Sequence, residues 1–264
     1  MERVVRREAH AKINVYLKVL GRRADGYHDI ETLILPVSLA DTLTVRFDAE
    51  LRLTVKGERA DAVPVDDTNL VMRAARALAG RAGIDLGADI EVEKRIPVGA
   101  GLGGGSADAA AALHALNELW ACELDRTVLL DLAAGIGSDV PALVHGGAVK
   151  VRGRGEIVEP APDVGVAGWF VLVPLSFQVS VADAYRWWDE EGRASDGLAN
   201  DLEGPVARHF PAVSDALRRL EELGADRVRM SGSGPTVVGG ARSEQHANEL
   251  AAGIPGSIPV SAPA

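Results

Sequence analysis

The sequence predicts an α+β fold on three observations. Runs with strand character follow one another through residues 10–55 with no helical pattern between them, which argues against a doubly wound sheet of alternating strands and helices. A strand-like stretch then feeds a glycine-rich segment and an alanine-rich helix. Finally, 264 residues, 47% hydrophobic and 25% charged, suffice to bury a core without disulfide staples. They exclude a disordered, collagen-like or disulfide-framework chain. Aromatic residues make up only 4%, so the core is aliphatic and each aromatic outside it calls for a reason.

Residues 10–20 alternate and are rich in β-branched side chains, the mark of a strand, and the polar stretch 21–26 turns the chain. Residues 30–37, 41–47 and 51–55 read as further strands. Asp66-Asp67-Thr68-Asn69 has the composition of a helix start, and Leu70, Ala74, Ala75, Leu78 and Ala79 recur at helical spacing up to Gly80. Residues 89–96 alternate as a strand, and a helix runs from about Ser106 to Trp120. Helices are expected at 127–134 and, behind Pro141, at 142–145. The density of glycine and proline from Arg152 through Pro160, Pro162 and Gly165 suggests a domain boundary, dividing the chain into 1–158 and 159–264. Beyond it come a strand at 169–173, helices at 182–190, 212–223 and 243–252, a strand at 226–230 leading to a glycine-rich turn, and a terminal tail or edge strand. The uncharged run 164–182 has the length of a membrane span, but Pro174, Ser176, Gln178 and Ser180 make it strand, turn, strand.

The formal net charge of −10 opposes nucleic-acid binding, which draws on Lys and Arg against phosphates. Residues 1–30 nevertheless carry +3, which reads either as a solvated basic edge or as a landing place for a small anion. Cys122 is the single cysteine, so no internal disulfide forms; at the apolar end of a helix it reads as a buried, inert thiol. No signal peptide is evident, and the expectation is a cytoplasmic protein with small-molecule substrates, no nucleic acid and no membrane.

The strongest feature is Pro97-Val98-Gly99-Ala100-Gly101-Leu102-Gly103-Gly104-Gly105-Ser106, with five glycines in seven positions between a strand and a helix. Glycine lets backbone approach a ligand closely, and the helix behind offers unpaired N–H groups and the positive end of its dipole, together a phosphate cradle. Ser106 can cap that helix or bind phosphate or metal, and Asp108 in the first turn suits the dipole. A Walker A loop is excluded for want of its lysine. A dinucleotide fold would need a further strand ending in an acid about 20 residues on, where Asp125-Arg126-Thr127 starts a helix. A protein kinase would need H-R-D and D-F-G, and neither occurs.

Four stretches carry a resemblance over nearly the whole chain. They are Ala9-His-Ala-Lys-Ile-Asn with Gly21-Arg-Arg-Ala-Asp-Gly-Tyr-His28, the glycine loop, Gly135-Ile-Gly-Ser-Asp-Val-Pro141, and Met230-Ser-Gly-Ser-Gly-Pro-Thr236. With Asn200-Asp-Leu-Glu203 they resemble the GHMP kinase superfamily, and Lys-Ile-Asn with Asp-Gly-Tyr-His narrows the resemblance to its cytidyl-substrate branch. The resemblance implies a two-domain α+β fold with mixed or antiparallel sheets, a cleft between the domains, and a monomer or weak homodimer. It implies transfer of the ATP γ-phosphoryl, assisted by Mg²⁺, to the 2-hydroxyl of a diphosphocytidyl-linked methylerythritol in the non-mevalonate isoprenoid route. A related GHMP kinase or decarboxylase, a nucleotide-binding regulator that kept the fold, and a dehydrogenase are the rivals; the last would be protected from heat by NAD rather than ATP.

Each residue has a bland reading beside the one the resemblance implies. Asp139 is a helix N-cap and is implied to be the base for the substrate hydroxyl, two readings that can hold together; Lys12 is a strand-edge lysine, or the catalytic partner of Asp139. Asn14 shares a strand face with Lys12 and is implied to touch substrate. Tyr27 is implied to stack on cytosine and His28 to hydrogen-bond it, while Tyr185 either sandwiches the base or joins Trp188 on an apolar helix face. Asn69 and Lys94 are a helix cap and a solvated strand lysine, or lie near ATP with Pro97, Gly99, Gly101, Leu102, Gly103, Gly104, Gly105 and Ser106. Ser106 is the candidate metal ligand. The loop Ser231–Gly234 closes on phosphate, packs beside the first glycine loop, or is a bare turn. The chain departs from the superfamily pattern at Val181, where many members have Thr, and at Ala107 and Ala142, where Ser and Phe are common.

Overall fold

The computed structural model describes residues 3–58, 60–85, 87–161, 168–192 and 199–262. The chain forms two compact units, each assembled from three stretches. The first comprises Met1–Ala11, Leu39–Val98 and Gly103–Gly146; the second comprises Lys12–Ser38, Gly99–Leu102 and Gly147–Ala264. Composition suggests one boundary after residue 158. The observed units interleave instead, because two long paired strands, β1 (Val4–Arg22) and β2 (His28–Asp48), each contribute to both.

In the first unit, β4 (Gly87–Lys94) lies between β2, antiparallel to it over Thr42–Asp48, and β3 (Leu51–Gly57), which runs parallel. Parallel neighbours need a crossover, supplied by a 3₁₀ turn at Ala60–Ala62 and α1 (Leu70–Ala82). The Asn69 side chain caps α1 by accepting the Val71 N–H at 2.8 Å. The remaining helices are α2 (Gly104–Leu119), α3 (Arg126–Ile136) and α4 (Val140–His145), with Asp125 capping α3. Alanines 107, 109–112 and 115 of α2 are all buried, as are Leu113 and Leu116, so this helix is enclosed on nearly every side. Small side chains make that enclosure possible, and α2 forms the centre of a core with Leu43, Val45, Ile90, Val92, Leu78 and Val144.

In the second unit, β2 pairs antiparallel with β5 (Val149–Gly153) over Ile30–Ile34, and β5 turns back into β6 (Ile157–Pro160). A second, fully antiparallel sheet has the order β10 (Ile258–Ala262), β7 (Gly168–Val173), β9 (Val237–Ala241), β8 (Asp226–Met230). Helices α5 (Val181–Glu191), α6 (Glu203–His209), α7 (Pro211–Glu222) and α8 (Glu244–Ala252) complete the unit. Its core gathers Leu17, Val171, Val173, Leu202, Val206, Val213, Leu220, Met230 and Val237.

Several expectations change. Residues 30–37 and 41–47 belong to one continuous strand. The glycine-rich stretch after Arg152 is the turn of the β5–β6 hairpin, with Gly153 and Gly155 at positive φ, whereas Pro162 and Gly165 lie outside the described residues. The run 164–182, whose first four residues are also outside them, is strand then helix rather than strand, turn, strand. Ser180 accepts the Asp183 N–H and starts α5 there. Among the described residues no helix is long and apolar enough to cross a membrane.

Leu113 is fully buried in α2. Leu113→Ala is expected to destabilise the chain by about 2–5 kcal/mol, read as a lowered denaturant midpoint at unchanged m-value.

Candidate active site

In the second unit, β1 presents Lys12 and Asn14 on one face, as two-residue strand spacing requires, and both are buried. The Lys12 ammonium donates to Asn14 Oδ1 at 2.9 Å and to the Gly101 carbonyl at 3.2 Å, and its backbone N–H donates to Leu102 O. Lys12 is therefore no strand-edge lysine: it is 4% exposed and docked on the first half of the glycine loop. Asn14 Nδ2 donates to Thr32 Oγ1 at 2.8 Å, and the Asn14 N–H donates to Ser231 Oγ at 3.0 Å.

The β8–β9 turn supports this pair. Gly232, at φ +59°, leaves the space beside Lys12 and Asn14, since a Cβ there would come 3.0 Å from Asn14 Oδ1 and 3.3 Å from Lys12 Nζ. Thr236 Oγ1 donates to the Ala100 carbonyl at 2.6 Å, so the Ser231–Thr236 turn packs beside the glycine loop rather than standing as a bare turn. A Cβ at Gly101 would overlap the Gly234 carbonyl oxygen, which is why that approach requires glycine. Asn200 Nδ2 donates to the Met230 and Gly232 carbonyls, Glu203 accepts the Met230 N–H, and Arg229 Nε donates to the Asn14 carbonyl. Burial pushes the Glu203 carboxyl up and the Arg229 guanidinium down to about 10.

The same unit brings His28, Tyr185 and Trp188 together. The His28 ring stacks on Tyr185 with centroids 4.8 Å apart, meets Trp188 edge-on at 5.8 Å, and hydrogen-bonds Asp189 Oδ1 through Nε2 at 2.8 Å. Tyr185 thus faces His28 rather than serving only an apolar helix face. Tyr27 is 57% exposed, with the Arg154 guanidinium 5.1 Å from its ring centroid; it is not folded back on the core. Val181, at the first position of α5, is also exposed.

In the first unit, α2 begins at Gly104, two residues earlier than the sequence suggests, after Gly103 in the left-handed conformation (φ 72°). No side chain caps it, so Ser106 is not the cap, and its first-turn amides point out of the helix end as a phosphate site requires. Asp139 stands at the N-cap position of α4, as its bland reading has it, with no capping bond from its side chain. Asn69 is the cap of α1 and also donates to Pro64 O. Ala107 and Ala142 are buried.

Lys94 is not solvated. Its ammonium lies between Asp41 Oδ2 at 2.5 Å and Asp108 Oδ2 at 2.6 Å, and all three residues are buried. Asp41 Oδ1 also accepts the Arg95 and Ile96 N–H groups at 2.5 and 2.8 Å. Burial alone would lower the Lys94 amine, but the charges of Asp108 and Asp41 outweigh it and raise it. Two carboxyls share one ammonium, and burial, aided by repulsion from Asp41, pushes Asp108 up to about 7 against the attraction of Lys94. Asp108 is therefore not a first-turn dipole partner as the sequence suggests; it turns inward. Sequence reasoning missed Asp41, Thr32, Asp189 and the support given by Asn200; an aspartate within the apolar run of β2 was the one visible signal for Asp41.

A two-part fold with this loop defines a class. The model for the GHMP kinases N terminal domain matches residues 69–147, and the one for the GHMP kinases C terminal matches residues 188–257. A protein from Gloeobacter violaceus named 4-diphosphocytidyl-2-C-methyl-D-erythritol kinase is 40% identical, over 96% of this chain and 91% of its own. One of the same name from Pelotomaculum thermopropionicum is 41% identical, over 92% and 91%. A crystal structure described as 4-(cytidine 5'-diphospho)-2C-methyl-D-erythritol kinase superposes with a TM-score of 0.83 at 34% identity, covering 98% of this chain and 100% of that one. The chain belongs to the GHMP kinases, in the family of the 4-diphosphocytidyl-2-C-methyl-D-erythritol kinases.

The Asp108 carboxyl yields a prediction of definite sign. Its folded value of about 7 exceeds the ordinary 3.8, so between these limits the folded chain holds a proton that the unfolded chain has lost. Its contribution to stability therefore falls as pH rises from 4 to 7. Urea midpoints across that range should decline more steeply in the parent than in Asp108→Asn.

Proposed function

We propose that this chain transfers the γ-phosphoryl of ATP to the 2-hydroxyl of 4-diphosphocytidyl-2-C-methyl-D-erythritol. The observation that carries it is the docking of buried Lys12 on Asn14 and on the glycine loop at Gly101, in a family whose named members are this kinase. The acceptor is supported by His28, held by Asp189 and stacked on Tyr185, with Tyr27 exposed nearby in sequence. That set has the chemistry to stack on a pyrimidine and to hydrogen-bond its edge.

In this reading Pro97, Gly99, Gly101, Leu102, Gly103, Gly104, Gly105 and Ser106 form the ATP loop, with Asn69 and Lys94 placed near the nucleotide, and the α2 amides take the phosphates. Asn14 orients the acceptor, and Asp139 accepts the proton of its 2-hydroxyl as the oxygen bonds to phosphorus. The bond from phosphorus to the β-phosphate oxygen breaks, ADP leaves, and the Lys12 ammonium steadies the charge that develops. Such a transfer is loose, so Asp139 contributes as much by orienting the hydroxyl as by basicity.

Among the described residues no group of three or more His, Cys, Asp or Glu could hold a metal alone. A Mg²⁺ that takes most of its oxygens from phosphate would fit this donor set, with the Ser106 hydroxyl in the first turn of α2 as protein ligand. Bound there, Mg²⁺ supplies charge neutralisation on the transferred group. We place the enzyme in the cytoplasm as a monomer or weak homodimer with no nucleic-acid partner.

The deciding experiment is a phosphoryl-transfer assay with ATP, Mg²⁺ and the cytidyl acceptor; a folded chain without turnover would sink the reading. Asp139→Ala should lower kcat by about 10²–10⁴-fold while ADP still binds in calorimetry. Tyr27→Ala should raise KM for the acceptor by about tenfold, the loss of one stacking contact, and leave KM for ATP in place. Equal effects on both would make Tyr27 structural.

A further inference from the structure

Asp41, Lys94 and Asp108 come from β2, β4 and α2 and meet in the core of the first unit. Packing does not call for them, because apolar side chains of similar volume commonly stabilise a core as well as a buried ion cluster does. Nor is the cluster optimised for its own stability: Asp108 Oδ1 is buried with no hydrogen-bond partner. Among the described residues of the first unit it is the one buried side-chain polar atom left in this state, which marks a group kept for another reason.

What the cluster touches supplies that reason. On its upstream side Asp41 fixes the Arg95 and Ile96 amides, so the chain leaves β4 in one direction. On its downstream side Asp108 belongs to α2, and the Lys94 ammonium lies under Gly104, where a Cβ would come 3.3 Å from Nζ. Ile96 closes the same spot at 3.1 Å, so Gly104 rests directly on the cluster. The segments on either side of the glycine loop, at 95–96 and at Gly104, are thereby held by one set of charges.

Resting on the nucleotide assignment made above, we propose that Asp41, Lys94 and Asp108 are positioning residues for ATP. They hold residues 95–96 and 103–106 in the geometry that turns the α2 amides toward phosphate, and Lys94 acts through the loop rather than by touching the nucleotide.

The test compares the parent with Asp108→Asn and Lys94→Met. Binding of Mg·ADP by calorimetry should weaken by about tenfold in each variant, the size typical of lost outer-shell support. KM for ATP should rise in step, with KM for the acceptor changed by less than about twofold. A purely structural role would lower the melting temperature and the folded fraction but leave nucleotide affinity per folded molecule in place. ADP affinity at the parental value in a folded variant overturns the proposal, as do equal rises in both KM values. If Lys94→Met does not fold, Asp108→Asn, which keeps side-chain volume and leaves Lys94 its Asp41 partner, decides the matter. Failure of both to fold makes the cluster a stability element only and overturns its positioning role. A parent that binds ADP without phosphorylating the cytidyl acceptor overturns the proposed acceptor, and the ADP comparison still decides the cluster. A parent that does not bind ADP overturns both.

Discussion

One ammonium between two carboxylates, out of reach of water, sets the conditions for the first unit. Desolvating these groups is costly, and their mutual attraction offsets the cost only if the geometry is kept. That requirement ties β2, β4 and α2 to one another at a single place and leaves little freedom to the backbone between them. The alanine-rich sequence of α2 follows from the same demand, since a helix drawn in this closely must carry small side chains on nearly all its faces.

The second unit also buries an ammonium. Lys12 needs acceptors inside a protein, and among them are the Gly101 carbonyl and the Asn14 carboxamide, the latter held in turn by Thr32. Asn200 stands behind that arrangement: it holds the Met230 and Gly232 carbonyls, and so the turn whose missing Cβ makes room for Asn14.

Much of this was legible in the sequence. The glycine loop, the two-residue step from Lys12 to Asn14, the cap at Asn69 and the helix start at Asp125 follow from local chemistry and stand where expected. What was not legible depends on residues far apart in the chain. Asp41 reads locally as a polar residue in a strand; only the return of β4 and α2 makes it a charge partner. Lys94 reads as a solvated lysine for the same reason. The boundary after residue 158 reflects composition, which marks a turn rich in glycine but not which strands lie side by side. The helix α6 escaped because its seven residues show too little periodicity.

The interleaving of the chain has a consequence for how the protein is made. All residues of the first unit have been synthesised once Gly146 has left the ribosome. The second half of β1 is made early but finds its partners late: the Leu17 N–H pairs with the Ala199 carbonyl, and Lys18 with Asp201. β1 and β2 can pair with each other early and β2 with β5 once residue 153 is made, but the edge of β1 at Leu17 waits until residues 199–201 emerge. Such long-range closure is slow, and unpaired edges in the interval invite association with other chains. No continuous fragment contains either unit by itself, so a chain cut after Gly146 carries residues 12–38 without the rest of the unit to which they belong.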